Sequence, residues 1–209
     1  MHFSGEFETH LTVRLDDAAD VERLRAWARP RELKCTHIVL ARGDAASQPM
    51  VTRHGRGDLA TEQAAAKELA DELSAAGFEV TRIKIEAALW TAGVPATDDD
   101  GQRQPREGYF EHHVKLLLDA DADVTVLTHM AQEHAAHVSR NVLRRRDDGR
   151  EERFVTQRCF GVGRITARAA LDALLHAVRR AEYAIIDVEE EFVVHDSNLT
   201  LDAGWIEFT

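Results

Sequence analysis

Two stretches of the chain carry the same pair of chemically versatile side chains, a carboxylate and an imidazole separated by one residue. GEFETHLTVRL contains Glu8 and His10, and GYFEHHVKLLL contains Glu111 and His113. Carboxylate and imidazole groups together suit zinc, manganese or iron. The repeated Glu-x-His therefore indicates a candidate site for a divalent metal ion.

These stretches open two copies of a longer internal repeat. MVTRHGRGDLATEQAAAKELADELSAAGFEVTRIKIE (50–86) aligns with FVTQRCFGVGRITARAALDALLHAVRRAEYAIIDVEEE (154–191), with a Gly-x-Gly in each. Sequence repeats of this kind reveal a duplicated structural unit. Each copy is therefore expected to contain the same order of secondary-structure elements.

The hydrophobic patterns of the first copy predict six elements in order. FETHLTVRL alternates as a strand does, and DDAADVERLRAWAR has helical spacing after an Asp-rich start. THIVLAR and QPMVTRH form a hairpin, LATEQAAAKELADELSAAG forms a helix that ends at Gly77, and FEVTRIKIE forms a strand. The second copy repeats the order, with strands at 109–118, 138–145, 152–159 and 183–194 and helices at 124–136 and 165–180.

Strand, helix, strand, strand, helix, strand is the order of the ferredoxin-like unit. We predict an α+β fold made by tandem duplication of a ferredoxin-like βαββαβ unit, with two antiparallel four-stranded sheets related by pseudo-two-fold symmetry. The predicted segments are a first repeat at 1–90, a Pro-, Gly- and Asp-rich linker at 91–107, a second repeat at 108–194 and a C-terminal tail at 195–209. The tail is expected to add a strand to one sheet or to begin a further segment.

The strand alternation places both Glu-x-His pairs on the polar face of a sheet, opposite the face that the helices cover. The last strand of the second copy adds an acidic row on that face, Asp187, Glu189 and Glu191. The last strand of the first copy adds the mixed row Arg82, Lys84 and Glu86. If the two polar faces pack together, these rows come close and surround a cavity or a groove.

The metal hypothesis uses residues from both copies. Its ligands are Glu111 and His113 with Glu189 or Glu191, joined by Glu8 and His10 of the first copy. The alternative is that these side chains only form cross-strand ion pairs with basic residues such as Lys84 or Arg82.

A second candidate site lies in the loops before the second helix of each copy, RHGRGD (53–58) and QRCFGVGR (157–164). A Gly-x-Gly before a helix lets backbone amides approach an anion. The predicted anion-binding residues are Gly55, Gly57, Arg158, Gly161, Gly163 and Arg164. The alternative is a tight structural connection from strand to helix.

The formal net charge of −11 argues against general binding to nucleic acid or to an anionic membrane. The basic hairpin at 139–158 either protects a strand edge or forms a local groove for RNA. RNA is disfavoured, because Glu and His occupy the sheet positions where aromatic side chains would stack on bases. Without an apolar run of membrane-spanning length or a signal peptide, the expectation is a cytoplasmic protein, and its Ala-, Arg- and Asp-rich composition is typical of a high-GC bacterium.

Two partial resemblances to known families assign no roles. His10-Leu-Thr-Val is similar to the His-x-Thr element of the two-histidine phosphoesterases, but the second copy reads His113-Val-Lys-Leu. EFETH and EHHVK are similar to the Glu-x-Glu-x-Lys opening of the triphosphate tunnel enzymes, but the first copy lacks their basic strands. The sequence leaves two functions open: a non-catalytic module that binds a small ligand or a partner, and a metal-assisted hydrolase or lyase that acts on a small phosphorylated molecule.

Overall fold

The computed structural model describes residues 2–105, 108–144 and 146–204. Part of the predicted linker (106–107), Arg145 of the basic hairpin and the tail residues 205–209 lie outside the described residues. The strands are β1 (Ser4–Arg14), β2 (Lys34–Leu40), β3 (Ser47–Asp58), β4 (Glu79–Ala88), β5 (Tyr109–Asp119), β6 (Ala136–Asn141), β7 (Arg150–Phe160) and β8 (Ala184–Asp196). The helices are α1 (Ala18–Ala28), α2 (Leu59–Ala75), α3 (Asp98–Gln102), α4 (Thr125–Glu133) and α5 (Arg164–Arg180).

The predicted duplication is confirmed. In each copy the first strand lies between the third and the fourth, giving the orders β2-β3-β1-β4 and β6-β7-β5-β8. Every pairing is antiparallel. The fold is therefore an α+β fold built from two ferredoxin-like units.

The helices cover one face of each unit because the strands alternate as predicted. Leu11, Val13 and Val51 pack with Leu24 and Leu73 of the first copy's helices. The equivalent core of the second copy contains these fully buried residues: Val114, Leu116, Leu127, Val155, Leu171 and Leu174. The helices therefore lie outside the sheets, and the polar face of each sheet points away from them.

The two sheets are not separate, which the sequence patterns did not predict. β2 pairs with β6, and β4 pairs with β8, so that eight strands close into one barrel. At the β4–β8 junction an apolar cluster outside the barrel joins the copies, with Phe7 and Ala87 of the first copy packed against Phe110 and Phe192 of the second. Closure turns both polar faces inward.

Closure also changes the interpretation of the basic hairpin. β6 is not a sheet edge, because Ile38, Val39 and Leu40 of β2 pair with it. The hairpin arginines instead pair with nearby carboxylates, as Arg144 does with Glu152 at 3.2 Å. Where β6 pairs with β2 the hairpin has no edge to protect, and a groove for RNA at this hairpin stays the disfavoured alternative.

The connecting segments have structure of their own. The linker contains α3, whose Asp98 accepts hydrogen bonds from the Gly163 backbone N–H at 2.8 Å and the Thr166 hydroxyl at 3.0 Å. In its described part, residues 195–204, the tail continues β8 to Asp196 and then forms a short 3₁₀ helix at Leu199–Asp202. The described parts of both segments are therefore held against the rest of the fold.

Replacing Gly101 by alanine is expected to lower the free energy of unfolding by about 1–3 kcal/mol. Gly101 of α3 is buried against the loop before α5, and a Cβ atom at this position would lie 2.2 Å from the Val162 carbonyl oxygen. Urea unfolding measures the change, with Asp99→Ala on the exposed side of the same helix as the control, expected within about 0.5 kcal/mol of wild type. Equal stability of the two variants would contradict this packing.

Candidate functional site

The barrel encloses a cavity of about 200 Å³. Its wall combines ionisable and hydroxyl side chains with a few apolar ones, including Ile38, Met50 and Phe154. Lys34 and Glu189 also line it and are exposed, so the cavity reaches the protein surface. A cavity of this size holds several waters or one small molecule.

The predicted metal-binding residues all line this cavity: Glu8, His10, Glu111, His113, Glu189 and Glu191. The structure brings some of them close together. His113 Nε2 lies 3.4 Å from Glu111 Oε2 and 3.8 Å from Glu191 Oε2, and His10 Nε2 lies 3.8 Å from Glu8 Oε1. Glu189, by contrast, lies on an exposed part of β8 at the edge of the cavity.

The two histidines occupy equivalent positions in the two repeats. His10 Nδ1 contacts the Thr52 hydroxyl at 2.8 Å, and His113 Nδ1 contacts the Thr156 hydroxyl at 3.0 Å. In both cases the threonine lies directly opposite on the neighbouring strand. Each Nε2 atom consequently points at carboxylates, with His10 Nε2 2.8 Å from Glu86 Oε2.

Glu111 is the centre of a buried ion network. Its side chain is bound by the Arg158 Nε at 2.5 Å and by the Lys84 ammonium, which also lies 2.6 Å from Glu86 Oε1. Burial opposes ionisation of Glu111, but Arg158 and Lys84 hold the pKa of its carboxyl well below the usual range. Glu111 is therefore ionised and already neutralised by basic side chains.

The tail extends this network at one end of the barrel. Asp202 is buried, and its carboxylate lies 2.8 Å from Arg82 Nη1, 2.9 Å from Arg158 Nη1 and 2.9 Å from the Gln48 amide nitrogen. Although burial would raise the pKa of Asp202, Arg158 and Arg82 lower it to about 2. Arg82 also binds Asp196, which accepts a hydrogen bond from the Tyr109 hydroxyl at 2.8 Å.

Glu191 differs from these paired carboxyls. Burial raises its pKa, and the neighbouring carboxylates Glu86 and Glu8 raise it further, to about 10. Glu86 is the ionised partner, because Lys84 and His10 overcome its burial and lower its pKa to about 2. At neutral pH Glu191 therefore carries a proton beside the charged carboxylate of Glu86.

Glu86, His113 and Glu191 form the group with metal-ligand spacing. One ligand atom from each lies within 4.8 Å of the others. Two of the three residues belong to the predicted ligand set, whereas Glu86 appeared in the sequence only as a member of the mixed row on β4. Its role depends on the β4–β8 pairing, for which the sequence gives no signal.

The predicted anion-binding residues are not brought together. Arg158 lies inside the barrel, bound to Glu111 and Asp202, and not in the loop of Gly161 and Gly163. The Arg164 guanidinium donates to the Leu89 carbonyl oxygen at 3.2 Å. The prediction that Arg158 acts together with this loop is therefore wrong, because its position on β7 directs the side chain into the barrel.

Carboxylates of the chain itself occupy both helix termini. Asp98 binds at the start of α5, next to Gly163. Gly55 and Gly57 are strand residues of β3, and Asp58 caps α2 by accepting from the Thr61 backbone N–H at 2.9 Å. Anion binding at these loops stays a prediction, and an anion there would meet these carboxylates.

The two cysteines are separate from the barrel interior. Cys159 packs with the apolar cluster at the β4–β8 junction, and burial raises the pKa of its thiol to about 11. Its thiol is consequently protonated at neutral pH and a poor nucleophile.

Within the described residues, no helix has the length and apolar character needed to cross a membrane.

Comparison with known proteins yields distant structural similarities and no sequence family. No protein-family model and no curated protein sequence matches the chain. Among solved structures, the chain is similar to the acetolactate synthase small subunit from Thermotoga maritima, with 12% identity, 88% of this chain and 92% of that chain covered, and a TM-score of 0.29. The chain is also similar to a putative chlorite dismutase, with 14% identity, 92% of this chain and 96% of that chain covered, and a TM-score of 0.27. A third similar structure is a chlorite dismutase variant from Candidatus Nitrospira defluvii, with 15% identity, 91% of each chain covered, and a TM-score of 0.30.

Proposed function

We propose that this protein is a non-catalytic module that binds a small, charged molecule inside its barrel. The observation that supports this most directly is the enclosed cavity of about 200 Å³, whose wall carries acidic, basic and hydroxyl groups. Preformed concave sites with a few placed polar groups are where proteins bind small ligands. The cavity is small, so the ligand has few non-hydrogen atoms.

The direction of the polar faces favours a small ligand over a macromolecular partner. Glu111 and His113, which the sequence placed on a presumed open face, point into the barrel and are largely or wholly shielded from solvent. A protein or RNA surface cannot reach them without opening the sheet. A small molecule can enter past exposed wall residues such as Lys34 and Glu189.

Thr36→Trp is expected to abolish ligand binding by filling the cavity from its wall. Thr36 lies on the inner face of β2, and Thr36→Val, which keeps the side-chain volume, is the matched control. Thermal melts with small carboxylates, amines, amino acids and phosphates identify a ligand, and calorimetry then compares the variants. The proposal requires a ligand that binds wild type and Thr36→Val but binds Thr36→Trp at least about 100-fold more weakly, a loss of about 2.7 kcal/mol.

The alternative function is a metal-assisted hydrolase or lyase that acts on a small phosphorylated molecule. The spacing of Glu86, His113 and Glu191 supports it, since three protein ligands leave coordination positions for water and substrate. Arg158 gives it less support than expected, because two carboxylates already bind this residue. Turnover of phosphate esters that requires added Zn²⁺ or Mn²⁺ and is lost in His113→Ala would favour this alternative.

A further inference from the structure

We propose that the barrel binds one divalent metal ion between the two repeats, with Glu86 of the first repeat and His113 and Glu191 of the second as its protein ligands. The inference rests on the proposed function, since it names a metal ion as the first component of what the cavity holds. It differs from the sequence-based ligand set in replacing Glu111 with Glu86 and in leaving out Glu8, His10 and Glu189.

The positions of the three donor atoms are the first support. One atom from each side chain lies within 4.8 Å of the other two. Zinc binds oxygen and nitrogen ligands at about 2.0–2.2 Å, so two ligands of one ion are at most about 4.4 Å apart. Small side-chain rotations are enough to bring the three atoms onto one ion.

The orientation of His113 is the second support. Its Nδ1 atom is held by the Thr156 hydroxyl at 3.0 Å, which directs Nε2 into the barrel, 3.8 Å from Glu191 Oε2 and 3.4 Å from Glu111 Oε2. A metal-binding histidine generally uses its other ring nitrogen in this way, because the outer hydrogen bond fixes the ring and its tautomer. Thr156 is the outer partner that such a ligand requires.

Two neighbouring side chains also hold the Glu86 carboxylate in position. Lys84 contacts one of its oxygens at 2.6 Å and His10 contacts the other at 2.8 Å. Lys84 is shared with Glu111, so its charge is divided between two carboxylates. Each Glu86 oxygen retains a lone pair for an ion, since a carboxylate oxygen accepts more than one partner.

Glu111 does not serve as a ligand, although it lies near His113. Arg158 and Lys84 bind its two oxygens, and removing it from them would leave the buried Arg158 guanidinium without one of its two carboxylates. Breaking a buried pair of this kind is strongly destabilising, because it leaves an uncompensated buried charge. Glu111 therefore positions the basic side chains and leaves the ion to Glu86.

The mixed donor set indicates the class of metal. One imidazole and two carboxylates suit zinc, manganese or iron better than calcium or magnesium, which prefer oxygen ligands alone. Three protein ligands leave at least one position open towards the cavity. The open position would be filled by water or by the small ligand of the proposed function.

Isothermal titration of the chelator-treated, full-length protein with Zn²⁺ tests the site. Wild type is expected to bind one ion, His113→Ala and Glu191→Gln at least about 100-fold more weakly, and Thr156→Val about 10–100-fold more weakly as an outer-partner variant. His54→Ala, on an exposed histidine of β3, is the matched control and is expected to bind as wild type does. Circular dichroism melts confirm that each variant is folded.

Cobalt substitution adds a readout that does not depend on affinity. The visible spectrum of the Co²⁺-loaded protein should report nitrogen and oxygen ligands and should change in His113→Ala. The proposal is overturned if wild type binds no Zn²⁺ or Mn²⁺ at millimolar concentration, or if His113→Ala and Glu191→Gln bind as tightly as wild type. If the metal fails but a small molecule still binds wild type and not Thr36→Trp, the proposed function stands without this site.

Discussion

Replacing Arg158 by methionine is expected to lower the free energy of unfolding by about 3–5 kcal/mol. Arg158 is buried and bridges Glu111, at 2.5 Å, and Asp202, at 2.9 Å. Without the guanidinium, Glu111 keeps only Lys84 as its buried basic partner, and Asp202 keeps only Arg82. Urea unfolding of the two proteins under identical conditions measures the difference.

The control for Arg158 is a surface ion pair with similar geometry. Arg14 Nη1 and Glu79 Oε2 are 2.9 Å apart, but their side chains are 63% and 60% exposed. Arg14→Met is expected to cost less than about 1 kcal/mol, because solvent screens the pair. If both methionine variants lose the same stability, burial of the network is not what makes Arg158 important.

A second substitution tests the mechanism of the loss. In the Arg158→Met background, Glu111→Gln is expected to recover part of the lost stability, because it removes one of the carboxylates left short of a partner. In the wild-type background the same substitution is expected to destabilise, since Arg158 and Lys84 then lose their shared anion. A double-mutant cycle measures this coupling by urea unfolding.

Glu191→Gln is expected to stabilise the metal-free protein at pH 7 by about 1–3 kcal/mol. Burial and the carboxylates of Glu86 and Glu8 raise the pKa of Glu191 to about 10 in the folded protein. In the unfolded chain the carboxyl group has its ordinary pKa of 4.5, so between these two pH values only the unfolded state gains by ionising. Glutamine keeps the shape of a neutral glutamic acid and loses no proton.

The sign of this effect gives it a pH profile. Below about pH 4.5 Glu191 is neutral in both states, so wild type and Glu191→Gln should have nearly equal stability. As the pH rises towards 10, the contribution of Glu191 to folded-state stability is progressively lost, and the variant gains its advantage. Chemical unfolding between pH 4 and 9 in chelator-containing buffer follows the difference.

Glu189→Gln is the matched control for that profile. Glu189 is on the same strand, two residues away, and exposed. Its substitution should leave the pH dependence of stability as in wild type. A Glu191→Gln protein whose stability follows wild type at every pH would show that Glu191 does not carry the proton. The pH profile of unfolding measures how much Glu191 destabilises the fold, and the metal titration measures its contribution as a ligand.

Much of the fold can be predicted from local patterns. Alternating residues in FETHLTVRL and helical spacing in LATEQAAAKELADELSAAG depend on neighbours in sequence, and they identify the strands and helices of each copy. The repeat then fixes the ferredoxin-like order twice. The helices of the linker and the tail were not predicted. The start of α3 has a local capping box of Thr97 and Asp100, but its position depends on the distant contact of Asp98 with Gly163. The 3₁₀ helix at Leu199–Asp202 likewise depends on the distant contact of Asp202 with Arg158.

The site was predictable only in part, for a related reason. Strand alternation correctly grouped Glu8, His10, Glu111 and His113 on polar faces, and all four line the cavity. The pairing of each carboxylate with a basic side chain depends on the register between strands that are far apart in the sequence. Glu111 was expected as a ligand, but the β5–β7 register places Arg158 opposite it.

By itself, the sequence determined two ferredoxin-like copies and the face on which each Glu-x-His lies, because periodicity is a property of the local backbone. Only the tertiary structure decided that these faces enclose one cavity, since closure depends on the pairing of β2 with β6 and of β4 with β8. Backbone hydrogen bonds between such edges are largely independent of side-chain identity and therefore leave no motif in the sequence. That closure brings Glu86 of the first copy to His113 and Glu191 of the second.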